Sequence, residues 1–217
     1  MHLLKSLLVV GVLLGCEKRS HVSSGPKAKL EVLLVDDAND PLAKMDKEPL
    51  PAGVGVLTEG AFREGIVHYA YVIQDHGETV LQAGKRLTDA LASQALPAGD
   101  HLVIGSTTFS VRSYLVKGAP VITEANVVDA VTAKDSSTGH YSVSLTVDPP
   151  GAMSIESTTK TNVGWRMAII VDGIVQSAPI IRSTITGGHV QITLGGLAST
   201  NDEKIQADRL TKSFNGQ

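Results

Sequence analysis

Residues 164–196 read GWRMAIIVDGIVQSAPIIRSTITGGHVQITLGG, and the fold turns on how this stretch is read. Met167, Ala168, Ile169, Ile170 and Val171 form an apolar run too short to span a membrane and rich in β-branched residues. That is the pattern of a strand buried on both faces. Asp172-Gly173 follows, the dipeptide that supplies the positive φ angles of a tight hairpin turn. Residues 174–178 return as a second strand. Pro179, with no N–H to give a ladder, ends that strand or places it at an edge. Gly187-Gly188 marks another turn. Residues 189–194 then alternate, with Val190, Ile192 and Leu194 on one face of a half-buried strand.

Upstream of this core the chain alternates strands with one clear helix. Residues 30–35 are a short apolar strand. Residues 36–41, DDANDP, invite a calcium-loop reading with Glu48 at the far end, but Pro41 falls on a ligand position and Leu42 where the loop needs glycine. A solvated acidic turn is expected instead. Residues 44–58 carry Pro49, Pro51, Gly53 and Gly55 and read as a loop or broken edge. Residues 66–73 are β-rich, with His68 an ordinary strand residue. Between His76 and Pro97, Val80, Leu81, Gly84, Leu87, Ala90 and Leu91 form one stripe of an amphipathic helix. Residues 102–104 and 108–116 read as two further strands.

Downstream, Thr123 is placed to cap a helical turn, and a hairpin turns at residues 136–139. Its second strand sets Tyr141, Val143, Leu145 and Val147 inward and Ser142, Ser144 and Thr146 outward. Asp148 before Pro149-Pro150 caps a helix over 152–162, whose Ser and Thr content gives it little propensity of its own. A last helix spans 201–214, capped by Ser199 or Thr200.

Met167-Ala168-Ile169, Asp172-Gly173, Ser177-Ala178-Pro179, Ile181-Arg182, Ile185, Gly187-Gly188 and Gln191-Ile192-Thr193 fall in register on one family pattern. It reads R-[LM]-A-I-V-L-D-G-x-V-x-S-A-P-x-I-R-x-x-I-x-G-G-x-x-Q-I-T. The stretch resembles the head subdomain of the first periplasmic domain of SecD, the protein-export accessory subunit. Residues 30–37, 121–130 and 161–164 and the last helix resemble other segments of the same region. The resemblance is close over 121–210 and loose over 30–120. It implies an α+β fold, with antiparallel or mixed sheets packed against a few helices, and a fold signature of Asp172, Gly173, Ser177, Pro179, Arg182, Gly187, Gly188 and Gln191. It further implies a non-catalytic accessory role in export, with unfolded or translocating polypeptide and export-machinery subunits as partners. No stretch of about twenty apolar residues follows Cys16, so the resemblance does not extend to SecD's membrane helices. A structural or assembly lipoprotein that keeps the fold without an export role is the alternative.

The amino terminus reads as an export signal. Met1 to Lys5 is weakly basic, residues 6–14 are apolar, and Leu13-Leu14-Gly15-Cys16 resembles a bacterial lipobox. Cys16, the sole cysteine, is the expected lipidation site, which excludes an intramolecular disulfide and a cysteine-based zinc site. The expected organisation is a signal over 1–16, a flexible polar tether over 17–29, an N-terminal α+β lobe over 30–118 and a head-like domain over 119–217. The expected location is the bacterial cell envelope, lipid-anchored, with the domain in the periplasm. A net charge of −3 argues against a nucleic-acid partner. The seven histidines show no metal-ligand spacing, and no nucleophile, base and orienting group can be assembled, so no metal, cofactor or catalytic residue is expected.

Overall fold

The computed structural model describes residues 27–39, 41–43, 50–61, 65–107, 109–194 and 199–217. The expected signal, Cys16 and most of the tether lie outside them. The elements are β1 (Leu30–Leu34), β2 (Val54–Ala61), β3 (Gly65–Ile73), α1 (Val80–Ala90), β4 (His101–Ser106), β5 (Ser110–Val116), β6 (Ile122–Thr123), a 3-10 turn (Glu124–Asn126), β7 (Val127–Lys134), β8 (Tyr141–Val147), α2 (Pro149–Thr161), β9 (Met167–Val171), β10 (Ile174–Ser177), β11 (His189–Thr193) and α3 (Thr200–Phe214). The class is α+β, as expected.

The decisive hairpin forms as read. All five residues of β9 are buried. Asp172 and Gly173 turn the chain at φ 50° and 80°, the left-handed pair that matches the twist of the strands they join. The larger sheet runs β2-β3-β5-β4-β10-β9-β1-β6. It also closes on itself. Val35, just past β1, bridges Val116 at the end of β5, the Asp36 N–H donates to Leu115 O, and the Lys117 N–H donates to Leu34 O. Strands β5, β4, β10, β9 and β1 thereby form a small barrel, with β2-β3 and β6 as extensions. At this strand number, side chains alone fill the interior. Leu33, Val35, Val116, Ala168, Ile170 and Val175 do so, with Val103 and Tyr114.

Two apolar layers cover the outside of this sheet. On one stretch α1 packs Ala83, Leu87 and Leu91 against Ala70, Val72, Ile104 and Val111. Gly84 makes that approach possible, because a Cβ there would lie 2.1 Å from Ile104 Cδ1. Leu81, read as part of the buried stripe, is instead 61% exposed, since the helix meets the sheet over a narrower arc. On the other stretch, Val32, Met167, Ile169 and Val171 face Val143, Leu145 and Ile192 of a second sheet, ordered β11-β8-β7, together with Ile155 of α2 and Leu210 and Phe214 of α3.

Three expectations need correction. A boundary after Gly118 does not separate two lobes: β9 and β10 pair with β1 and β4, because an N-terminal strand supplies the neighbour that β9 needs to be buried on both faces. The stretch over 44–58, read as a loop or broken edge, becomes from Val54 the regular edge strand β2, since β3 offers it eight paired positions that outweigh its glycines. Asp36 and Asp37 are no solvated turn. They are 3% and 7% exposed, held by Lys117 and Arg166.

Candidate functional site

Between the barrel's outer wall and the second sheet lies an apolar cavity of about 280 Å³. Its floor is Val32, Met167 and Ile169, its sides are Ile155, Pro179 and Ile185, and its rim is His189, Val190 and Gln191. Each wall has a local cause. Alternation along β1 and β9 sends Val32, Met167 and Ile169 outward from the barrel. Asp148 accepts the Gly151 N–H and starts α2, which brings in Ile155. Pro179 ends β10, and its carbonyl accepts the Met167 N–H, so the chain leaves the sheet and the loop over 179–186 lies across the gap. Thr159, fully buried in α2, accepts the Ile185 N–H at 2.9 Å and pins that loop from below.

The turn before β11 fixes the rim. Gly187 and Gly188 stand at φ 78° and 68°, and a Cβ on Gly188 would fall 2.9 Å from the Ala152 Cβ. Here glycine serves both the left-handed backbone and the close approach of α2. β11 pairs with β8 on one side and is an edge of its sheet on the other. An apolar cavity thus borders an edge strand, an arrangement that can accept an extended chain by backbone hydrogen bonds and take one of its side chains.

The signature residues do not all meet here. Pro179 and Gln191 line the cavity, and Gln191 also donates to the buried Ser142 hydroxyl at 2.8 Å. That bond explains why Ser142, expected outward, is only 3% exposed. Gly187 and Gly188 aim the rim. Asp172 and Gly173 sit at the other end of β9, where the Asp172 carboxylate accepts the Lys29 N–H and its own N–H donates to Lys29 O, continuing the ladder to β1. Ser177 ends β10 with its hydroxyl buried and without a hydrogen-bond partner among the described residues. Arg182 is exposed on the loop.

Sequence reading missed a charged cluster at one mouth of the barrel. Arg166 donates to Asp37 through Nε at 2.8 Å and Nη2 at 2.6 Å, and through Nη1 to Glu59. Arg112 grips Glu59 with two bonds of 2.9 and 2.7 Å and stacks between Tyr69 and Tyr114, 3.6 and 4.4 Å from their ring centres. Burial alone would raise the Glu59 carboxyl, but the two guanidiniums outweigh it and hold it below the usual range. Burial likewise opposes the charge on Arg166, and Asp37 and Glu59 raise its pKa despite it. Burial pushes the Tyr114 phenol up. The signal for this cluster was present: Arg166 heads the family pattern, and Asp37 ends the segment 30–37 that shares the resemblance. Glu59 and Arg112 carry no motif and were invisible. Among the described residues no group of three His, Cys, Asp or Glu could hold a metal ion, and no helix is long and apolar enough to cross a membrane.

A five-stranded barrel with a three-stranded sheet and two helices laid on its wall is the class of fold that residues 100–206 help to build. Those residues match the family model described as SecDF, P1 head subdomain. The chain carries a SecD head-like domain. It is 44% identical over 85 residues to the protein translocase subunit SecDF of Thermus thermophilus, covering 39% of this chain and 11% of that protein. It is 28% identical over 205 residues to the SecD subunit of Anaeromyxobacter dehalogenans, covering 82% of this chain and 33% of that one. A solved structure described as a membrane component SecDF that enhances protein export aligns with TM-score 0.45 and 25% identity, over 88% of this chain and 64% of that one. The chain therefore spans a third or less of the length of these two translocase subunits.

Proposed function

We propose that this protein is a non-catalytic accessory in protein export that contacts extended polypeptide outside the cytoplasmic membrane, held there by lipid on Cys16. The observation that carries the reading is the apolar cavity beside the edge strand β11, whose lining, Val32 apart, lies inside the segment that matches the SecDF head subdomain. An extended chain adding to β11 gains backbone hydrogen bonds whatever its sequence and rests an apolar side chain on Val32, Ile155 and Ile169. Such capture is sequence-tolerant and weak, as a factor that hands on a moving chain requires.

The test is binding of a reduced, unfolded protein against its folded form. The wild type binds the unfolded form in roughly the micromolar range or looser and prefers it to the folded one. Ile185→Lys, which sets a charge on the wall of the cavity, abolishes the preference while the melting curve shows the domain folded. Equal binding to both forms, or none, assigns the protein to the structural class of lipoprotein instead. The anchor has its own test. The wild type pellets with membranes and labels with radioactive palmitate. Cys16→Ser loses the label, and any processed product moves to the soluble periplasmic fraction. Wild-type protein that is soluble and unlabelled would remove the lipid anchor and leave the polypeptide-binding reading standing.

A further inference from the structure

α3 is buried along Glu203, Ala207, Leu210 and Phe214, so the opposite face carries Ile205, Arg209 and Lys212 at helical spacings of four and three. Arg209 and Lys212 are exposed, and Ile205 between them and Lys204 is 60% exposed. The acids close to this face are each held by a partner, and only Asp202 at the far end keeps its charge unpaired by a cation among the described residues. Asp208 pairs with Lys204 at 2.5 Å, and Glu203 turns inward to the His140 ring. Asp202 is occupied at the helix start by the Ser199 hydroxyl. The chain enters the fold along this same helix: the Ala28 N–H donates to the Ser213 hydroxyl, with Lys27 and Lys29 exposed on either side. Lys29 pairs with Glu31 at 3.1 Å. Asp208 feels Lys212 as well as Lys204, and with Lys27 and Arg209 the cations still outnumber the acids here, a local positive face on a chain whose net charge is −3.

We propose that this face of α3, with the entry segment beside it, docks on an anionic lipid bilayer. Two observations choose a bilayer over another occupant. The positive face is complementary to acidic headgroups, and Lys27 and Ala28, the described residues nearest in sequence to Cys16, lie at this surface, so an anchor at Cys16 tethers it within reach of the membrane. Ile205 reaches into the headgroup layer while Arg209 and Lys212 meet phosphates and the buried stripe stays in the fold. Docking orients the molecule and turns the cavity beside β11 into a fixed station. The proposal takes from the preceding section only the position of the anchor, and vesicle binding, not polypeptide binding, decides it.

The experiment compares two full-length chains, both in a Cys16→Ser background so that lipid and signal contribute equally. One also carries Arg209→Glu and Lys212→Glu. Each is mixed with phosphatidylcholine vesicles with and without phosphatidylglycerol. The parent favours the anionic vesicles, and added salt erodes the preference. The double variant binds them roughly tenfold more weakly or worse and binds the neutral vesicles unchanged. Its melting curve and its binding of unfolded protein stay as in the parent. Should charge reversal unfold the helix, Arg209→Gln with Lys212→Gln reads the same loss at about half the charge change. A parent without anionic preference, or a folded variant that keeps it, overturns the proposal.

Discussion

At the scale of single residues, the most constrained positions are those where one side chain answers two demands. Gly188 holds a left-handed backbone and admits Ala152 of α2. Gly188→Val therefore meets strain and overlap together, of about 2 kcal/mol, and a thermal melt should show a fall of several degrees. An unchanged melt would show that the turn relaxes freely. Arg166 answers two carboxylates. Arg166→Met leaves Asp37 buried and Glu59 half-served, a loss of about 3 kcal/mol or more. Its pH profile is distinctive. Glu59 titrates below its ordinary value in the fold, so its contribution is complete above the unfolded pKa near 4.5 and is lost as pH falls through the lower folded one. Without Arg166 that folded value moves up, and acid unfolding should begin at higher pH than in the wild type, as followed by circular dichroism. Identical acid limbs would mean that Arg112 alone sets the Glu59 carboxylate.

At the scale of elements, local signals were sufficient wherever an element carries its own period or cap. β9, its Asp172-Gly173 turn, the alternation of β11 and the Asp148 cap of α2 were all legible, because period, turn chemistry and capping are written in neighbouring residues. The failures come from elements decided by distant partners. β2 begins at Val54 despite Gly53 and Gly55 because the whole length of β3 pairs with it, and the Tyr71 ring lies over Gly55 where a side chain would be. Ser142 is buried because Gln191, from a strand about fifty residues on, reaches its hydroxyl. α2 shows both regimes. Its start is local, but its Ser- and Thr-rich body depends on tertiary bonds, above all from Thr159, whose hydroxyl donates to Ile155 O and accepts the Ile185 N–H. Thr159→Val keeps the volume and strands that N–H, so it should cost about 1–3 kcal/mol. It should also raise amide exchange at Ile185 above that of the barrel strands. Unchanged exchange at Ile185 would show that water replaces the lost acceptor.

At the scale of the whole molecule, the barrel is the feature no local pattern announced, since its closing contact joins Val35 to Val116 across most of the N-terminal half. Side chains guard that seam. Asp36 accepts from Lys117 Nζ at 2.9 Å and from the Asn39 side chain at 2.6 Å, and the Asp100 carboxyl, from the turn before β4, lies near enough to act on its charge, with Oδ2 buried and without a hydrogen-bond partner among the described residues. Two carboxyl groups on one lysine cannot both be charged comfortably. Burial, then Asp36, raises the Asp100 carboxyl above its ordinary value. For Asp36 burial acts upward too, but Asn39, Lys117 and Asp100 outweigh it and hold it low. The two residues therefore pull stability in opposite directions with pH. Asp36 contributes above its unfolded pKa near 3.8 and loses that contribution in stronger acid. Asp100, being raised, contributes while protonated, and that contribution fades as pH climbs through its folded value. Once both carboxyls are ionised the seam carries a repulsion that an amide would remove. Asp100→Asn keeps the shape, removes the second carboxylate charge and should raise the melting temperature at pH 7 by a few degrees. Near pH 3, where the wild-type carboxyl already holds its proton, the advantage should shrink toward nothing. A gain of the same size at both pH values would trace the effect to something other than the carboxyl pair, and a loss at pH 7 would show that the ionised Asp100 helps to close the barrel.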